Sequence, residues 1–210
     1  MPSSPTSKKA ASAAQFVPEG KGWAALRSAA ADCRGCDLYE DATQTVFGEG
    51  PIRAARLMMV GEQPGDREDV EGHVFVGPAG RLLDKALDAA GIARDELYLT
   101  NAVKHFKFTQ RGKRRIHETP RRSEVLACFP WLREELRVVK PQLVVALGAV
   151  AAKALLGPSF KLTEHRGEVL EADGLRVGVT VHPSAVVRAE NFTEAFAAFV
   201  ADLEVLKQEL

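Results

Sequence analysis

RLMMVGEQPG, residues Arg56 to Gly65, decides the fold. Leu57 to Val60 form an apolar run too short for a helix, closed by Gly61 and then by Pro64 and Gly65, which reads as a strand buried on both faces. The same pattern returns in ELYLTNAV at Glu96 to Val103, LVVALG at Leu143 to Gly148 and GLRVGVTVHP at Gly174 to Pro183. Helical stretches separate these runs. One spans Pro78 to Ala90, with proline in its first turn and Gly91 as its stop. A second spans Ser123 to Val139, a third ends at Gly157, and a terminal helix covers Thr193 to Leu210. Strands alternating with helices predict a three-layer α/β/α domain around a central, mostly parallel four-stranded sheet. No internal repeat interrupts the pattern.

The 210 residues suit one domain, and 46% hydrophobic with 27% charged residues excludes collagen-like, disordered and mini-protein classes. Met1 to Gly20, rich in Ser, Ala, Pro and Lys, is expected to be a disordered tail, leaving 21–210 as a single domain whose fold starts near Trp23. The longest apolar run, near Leu143 to Ala152, is about half of what a bilayer span requires. Neither membrane insertion nor export is expected, and a cytoplasmic monomer is the working expectation. The formal net charge is +0, so a nucleic-acid partner has to be argued from local clustering. Such a cluster runs from Lys104 to Arg122, where Lys104, Lys107, Arg111, Lys113, Arg114, Arg115, Arg121 and Arg122 stand with a single acid, Glu118.

Open parallel sheets bind ligands beyond the carboxyl ends of their strands. GEQPG, TNAVKH and VHPS all follow strand ends, so three motifs converge on one crevice. The three cysteines are an odd count, which argues against a disulfide framework. Cys33 and Cys36 form a CxxC that does not sit where a strand feeds a helix, so metal ligation is the better reading than redox exchange.

Four motifs carry a family resemblance: GEQPG at Gly61 to Gly65, GHVFVGPAGRLL at Gly72 to Leu83, TNAVK at Thr100 to Lys104, and HPS at His182 to Ser184. From about Cys33 to the C-terminus the chain resembles the uracil-DNA glycosylase superfamily, close to its family 4 iron-sulfur enzymes. KRRIH at Lys113 to His117, together with Gln63, resembles the UdgX-type branch, whose members become covalently joined to uracil-containing DNA. The resemblance implies a glycosylase that excises uracil and ends linked through His117 to deoxyribose C1′ in a single turnover. A conventional hydrolytic enzyme and a non-catalytic binder of uracil-containing or single-stranded DNA stand as alternatives. The expected partner is uracil-containing DNA, with single strands accepted because a flipped or unpaired base is what such a pocket takes.

The resemblance also distributes roles. Phe75 stacks on the uracil ring, although alone it would more often be read as a core residue. Asn101 reads the base edge, accepting from N3–H and donating to O4. His182 donates to O2, where negative charge collects as the bond breaks. Gln63 meets the base through its backbone N–H, and Ser184 binds a backbone phosphate. His117 is the nucleophile, with Glu62 orienting its imidazole or accepting its proton. Lys113, Arg114 and Arg115 contact phosphates or anchor the loop to Asp66 or Asp69, and Glu68 is a candidate for excluding the 5-methyl group of thymine. The implied metal ligands are Cys33, Cys36, His105 and Cys128, with His105 standing where family 4 usually has cysteine. Three thiolates and one imidazole suit a structural zinc equally well on chemistry alone; the resemblance favours a [4Fe-4S] cluster.

Overall fold

Short apolar runs at regular spacing set the skeleton of the computed structural model, which describes residues 12–210. In chain order its elements are α1 (Trp23–Ala30), β1 (Leu57–Gly61), α2 (Asp66–Glu71), α3 (Pro78–Ala89), β2 (Leu97–Asn101), β3 (Phe108–Arg111) and β4 (Arg114–His117). There follow α4 (Arg122–Val139), β5 (Leu143–Leu147), α5 (Ala149–Leu156), β6 (Val169–Ala172), β7 (Leu175–Thr180), α6 (Pro183–Val187) and α7 (Phe192–Gln208). No helix among the described residues is long and apolar enough to cross a membrane.

The central sheet runs in the order β2-β1-β5-β7-β6. Its four parallel members, β2, β1, β5 and β7, are those the sequence pattern predicts. The sheet has five strands, one more than expected, because β6 adds an antiparallel edge to β7. Asp173 and Gly174 join these two strands, both at positive φ (50° and 76°). Asp-Gly between two strands is the signature of a two-residue hairpin. The strand escaped the sequence reading because VLEA is short and only half buried. The hairpin of β3 and β4 lies outside the main sheet as a separate two-stranded ribbon.

Alternation along β1 divides the core. Met58 and Val60 pack with Leu26, Trp131, Leu132, Ala151 and Ala152, in the layer of α1, α4 and α5. Leu57 and Met59 face the other way, onto Leu83, Leu87, Phe199 and Leu203 of α3 and α7. Both faces of each central strand are therefore covered by helices, as parallel sheets require.

The expected disordered tail needs correction. Its first part, residues 1–11, lies outside the described residues. Residues 12–20 are placed: Ser12 Oγ caps a short 3-10 turn, Ala13–Phe16, by accepting the N–H of Ala14 at 3.2 Å. Ala13 is completely buried. Its backbone packs so closely against Gly35 that a Cβ there would lie 2.6 Å from both the N and the Cα of Ala13. Polarity predicted a free tail, and one small apolar residue docking onto a glycine overrides it. Gly35→Ala should therefore cost about 1–3 kcal/mol by forcing the segment off its seat. Urea denaturation of the variant beside the wild type checks this.

Candidate active site

β1 and β2 end side by side, with Gly61 paired to Asn101. The pairing continues past the strands, as Ala102 N–H donates to the Gly61 carbonyl at 2.9 Å and Val103 N–H to that of Glu62 at 3.0 Å. Glycine at position 61 leaves room for two side chains. A Cβ there would overlap Asn101 Oδ1 and stand 2.7 Å from Phe75 Cζ. Asn101 and Phe75, 26 positions apart in sequence, thus meet over one glycine at the floor of the crevice.

Phe75 is buried and holds a left-handed backbone (φ 53°), a conformation that costs an aromatic residue about 1–2 kcal/mol. Arg94 braces it, donating to the carbonyls of Val74 (3.2 Å) and Phe75 (3.4 Å). Gly80 has no room for a side chain against the Phe75 carbonyl. The Phe75 ring stacks near His182, with centroids 6.4 Å apart and planes 29° from parallel. Phe75, Asn101 and His182 therefore gather as the sequence reading expects.

His182 caps α6, and its protonation can be assigned from its contacts. Nδ1 accepts the Ser184 backbone N–H at 3.1 Å and lies 2.8 Å from Ser184 Oγ. A nitrogen that accepts carries no proton, so in the neutral ring the proton sits on Nε2. Burial, reinforced by His117 and Arg188, lowers its pKa to about 4. At neutral pH the ring is an uncharged Nε2–H donor. The Ser184 hydroxyl, expected on a phosphate, is engaged by His182 and by Arg188 at 3.3 Å. These contacts orient the imidazole.

His117 ends β4, with its side chain 47% exposed and Nε2 3.4 Å from Glu62 Oε1. The approach lacks hydrogen-bond geometry, and Glu62 Oε1 is a buried oxygen without a hydrogen-bond partner. Burial raises the Glu62 pKa, while Arg188 pulls it down. Burial and Arg188 lower that of His117, which favours the neutral imidazole. Arg188 thus acts on all three titratable groups of the site, and sequence reasoning missed it. The available signal was its spacing: four residues after Ser184, on the same helical face.

Gln63 plays a part the sequence did not disclose. Its side-chain Nε2 donates to the carbonyls of Lys107 (3.1 Å) and Glu118 (3.0 Å), and its Oε1 accepts the Lys107 N–H at 3.0 Å. Residues 107 and 118 flank the hairpin, so one amide closes its base and fixes the strand that bears His117. Arg115 secures the same ribbon through Asp66 and Asp69, each at 2.6 Å, beneath the rings of Phe106 and Phe108. Of its two expected roles, anchoring is the one its contacts fill. Lys113 and Arg114 remain exposed beside Gly112 at the hairpin tip. Glu68 is buried, accepting the Gly77 N–H at 2.9 Å, and so ties α2 to the start of α3.

The expected metal ligands are all buried, and none of the three cysteines forms a disulfide. Cys33 adds to the upward shift of Cys36, and both add to that of Cys128. Burial, the larger cause, pushes Cys128 up to about 12. Cys33 Sγ accepts the Trp131 indole N–H at 3.2 Å, and Cys128 Sγ the Lys104 N–H at 3.3 Å. His105 is lowered to about 4 by burial, leaving a neutral imidazole whose Nε2 is 2.9 Å from Thr45 Oγ1. Among the described residues, no three His, Cys, Asp or Glu side chains stand in a metal-holding arrangement. The donor chemistry fits a thiophilic metal, since buried thiols gain most from a cation that replaces their protons.

A profile of the uracil DNA glycosylase superfamily matches residues 47–204. The chain belongs to that superfamily. It is 36% identical over 165 residues to a type-4 uracil-DNA glycosylase of Pyrobaculum aerophilum, covering 75% of this chain and 80% of the relative. A type-4 uracil-DNA glycosylase of Thermotoga maritima is 36% identical over 158 residues, covering 74% and 78%. One from Sulfurisphaera tokodaii is 33% identical over 168 residues, covering 76% and 73%.

The lowered pKa of His182 links the site to stability. The unfolded ring takes a proton below its ordinary value of 6.5, while the folded ring refuses it until about 4. Stability should accordingly fall as pH drops through that window, because the unfolded state binds more protons there. His182→Gln should flatten part of that slope in urea titrations run at successive pH values.

Proposed function

We propose that the chain is a uracil-DNA glycosylase of the UdgX type, which excises uracil and retains the sugar on His117. The observation that carries this reading is the placement of His117 beside Glu62, on a hairpin clamped to the same crevice that holds Phe75, Asn101 and His182.

In this reading Phe75 stacks on the base and Asn101 reads its edge. As the C1′–N1 bond breaks, its electron pair leaves with uracil, and the Nε2–H of neutral His182 stabilises the charge gathering on O2. The His117 lone pair forms the new bond to C1′. The imidazole gains a positive charge, which the Glu62 carboxylate offsets until the ring loses its remaining N–H proton to solvent. Nitrogen holds the sugar more firmly than water does, so one protein molecule processes one uracil. Lys113 and Arg114 meet phosphates of the strand, and a single strand is accepted because its bases need no unpairing.

Mixing the protein with a uracil oligonucleotide should give a band that survives heat and detergent. His117→Ala should abolish the band. His117→Gly or His117→Ser should admit water to the cation and release uracil with turnover, leaving an abasic site. His182→Ala should suppress adduct and release alike, by about 100- to 1,000-fold. An abasic product from the wild type without a stable band would mean hydrolysis, and unchanged DNA would mean binding alone.

Cys33, Cys36, His105 and Cys128 are the residues that would hold a [4Fe-4S] cluster, whose part is to tie the N-terminal segment to the turn after β2. Anaerobically purified protein should be brown and contain iron. His105→Cys should keep the cluster and His105→Ala should weaken it, whereas stoichiometric zinc without iron would overturn this assignment.

A further inference from the structure

Among the described residues, one fully buried ion pair lies outside the proposed reaction. The side chains of Lys104 and Glu135 are 1% and 0% exposed, and Nζ lies 2.5 Å from Oε2. Burying such a pair costs desolvation that its mutual attraction barely repays, and apolar substitutes of similar size are often as stable. Stability therefore does not account for it, and its contacts point elsewhere.

The Lys104 ammonium has three protons and three acceptors: Glu135 Oε2, Thr100 Oγ1 at 2.7 Å and the Asn101 carbonyl at 2.7 Å. Glu135 also receives the hydroxyls of Tyr98 (3.0 Å) and Thr100 (2.9 Å) and the N–H of Gly48 (3.0 Å). Tyr98 in turn accepts the Trp23 indole N–H at 2.9 Å. The network is fully satisfied, which is the condition under which buried polar groups make a region rigid. Its centre is the Thr100–Lys104 turn. Lys104 reaches back three residues to hold the Asn101 carbonyl, while its own N–H is held by Cys128. Cys128 and Glu135 are seven residues apart, two turns along one face of α4, so a single helix grips both sides of the turn.

Fixing a carbonyl fixes its peptide plane, and with it the direction in which the same residue projects its side chain. We infer that Lys104 and Glu135 are positioning residues that set the angle of the Asn101 amide in the crevice, and so govern how well the site reads a base edge. The inference rests on the uracil-reading role proposed for Asn101. Phosphate contacts at the hairpin tip lie outside its reach.

A double-mutant cycle separates this from a general loss of structure. The wild type, Lys104→Met, Asn101→Ala and the double variant are compared by single-turnover reaction with a uracil oligonucleotide and by binding to a uracil-free one. Lys104→Met should slow the reaction about 10- to 100-fold, the scale of a misplaced reacting group. Binding to uracil-free DNA should change by less than about twofold, since phosphate contacts remain. In the Asn101→Ala background the same substitution should cost less than about threefold, because the residue it acts through is gone. If Lys104→Met lowers the melting temperature too far to assay, Lys104→Met with Glu135→Leu removes both charges, and Thr100→Val removes one hydroxyl; either carries the cycle. Equal penalties in both backgrounds, or a wild-type rate in Lys104→Met, overturn the inference while uracil processing stands. A wild type inert toward uracil DNA overturns both.

Discussion

The close approach of two strand ends at Gly61 is the constraint on which the rest of the crevice depends. Asn101 Oδ1 and the Phe75 ring both occupy space that a side chain at position 61 would fill. Parallel pairing brings the two strand ends into register. The absence of a Cβ lets the Asn101 amide and the Phe75 ring share one floor. A methyl group at this point would have to displace one or both of them. Phe75 holds its place against a left-handed backbone because Arg94, Gly80 and the packed start of α3 overdetermine it.

Around this floor the protein arranges charge by exclusion. His182 and His117 are driven toward neutrality by burial and by Arg188, and Glu62 is driven toward its protonated form by burial while Arg188 opposes the shift. One exposed arginine therefore bears on His182, His117 and Glu62 together. The two imidazoles are held differently. His182 is locked by the helix start that follows it. His117 rides on a two-stranded ribbon, half exposed, secured at its base by Gln63 and along its length by Arg115. Both anchors, Gln63 and the Asp66–Asp69 pair, come from the segment after β1, so the mobile-looking basic loop is in fact tied to the central sheet.

Much of the architecture was legible in the chain. Four apolar runs, glycine and proline stops and the helical stretches between them specify a parallel sheet covered on both faces, because strand burial and helix amphipathy leave periodic marks. The convergence of three motifs follows from the same pattern, since open parallel sheets gather the ends of their strands. The half-buried edge strand β6 left only its Asp-Gly turn as a signal. The docking of Ala13 on Gly35 left none, because one small residue in a polar segment has no periodicity.

The sequence by itself determined the fold class, the superfamily motifs and most of the residues that meet in the crevice, Arg188 excepted. Tertiary structure decided which partners each of them holds there. Ser184 turns to His182, Arg115 turns to two aspartates, and the Gln63 amide closes a hairpin 44 residues away. The bonding of a polar side chain depends on which partners lie within about 3 Å, and that is fixed by the packing of distant segments. Residue order records the donors and acceptors, and only the folded chain pairs them.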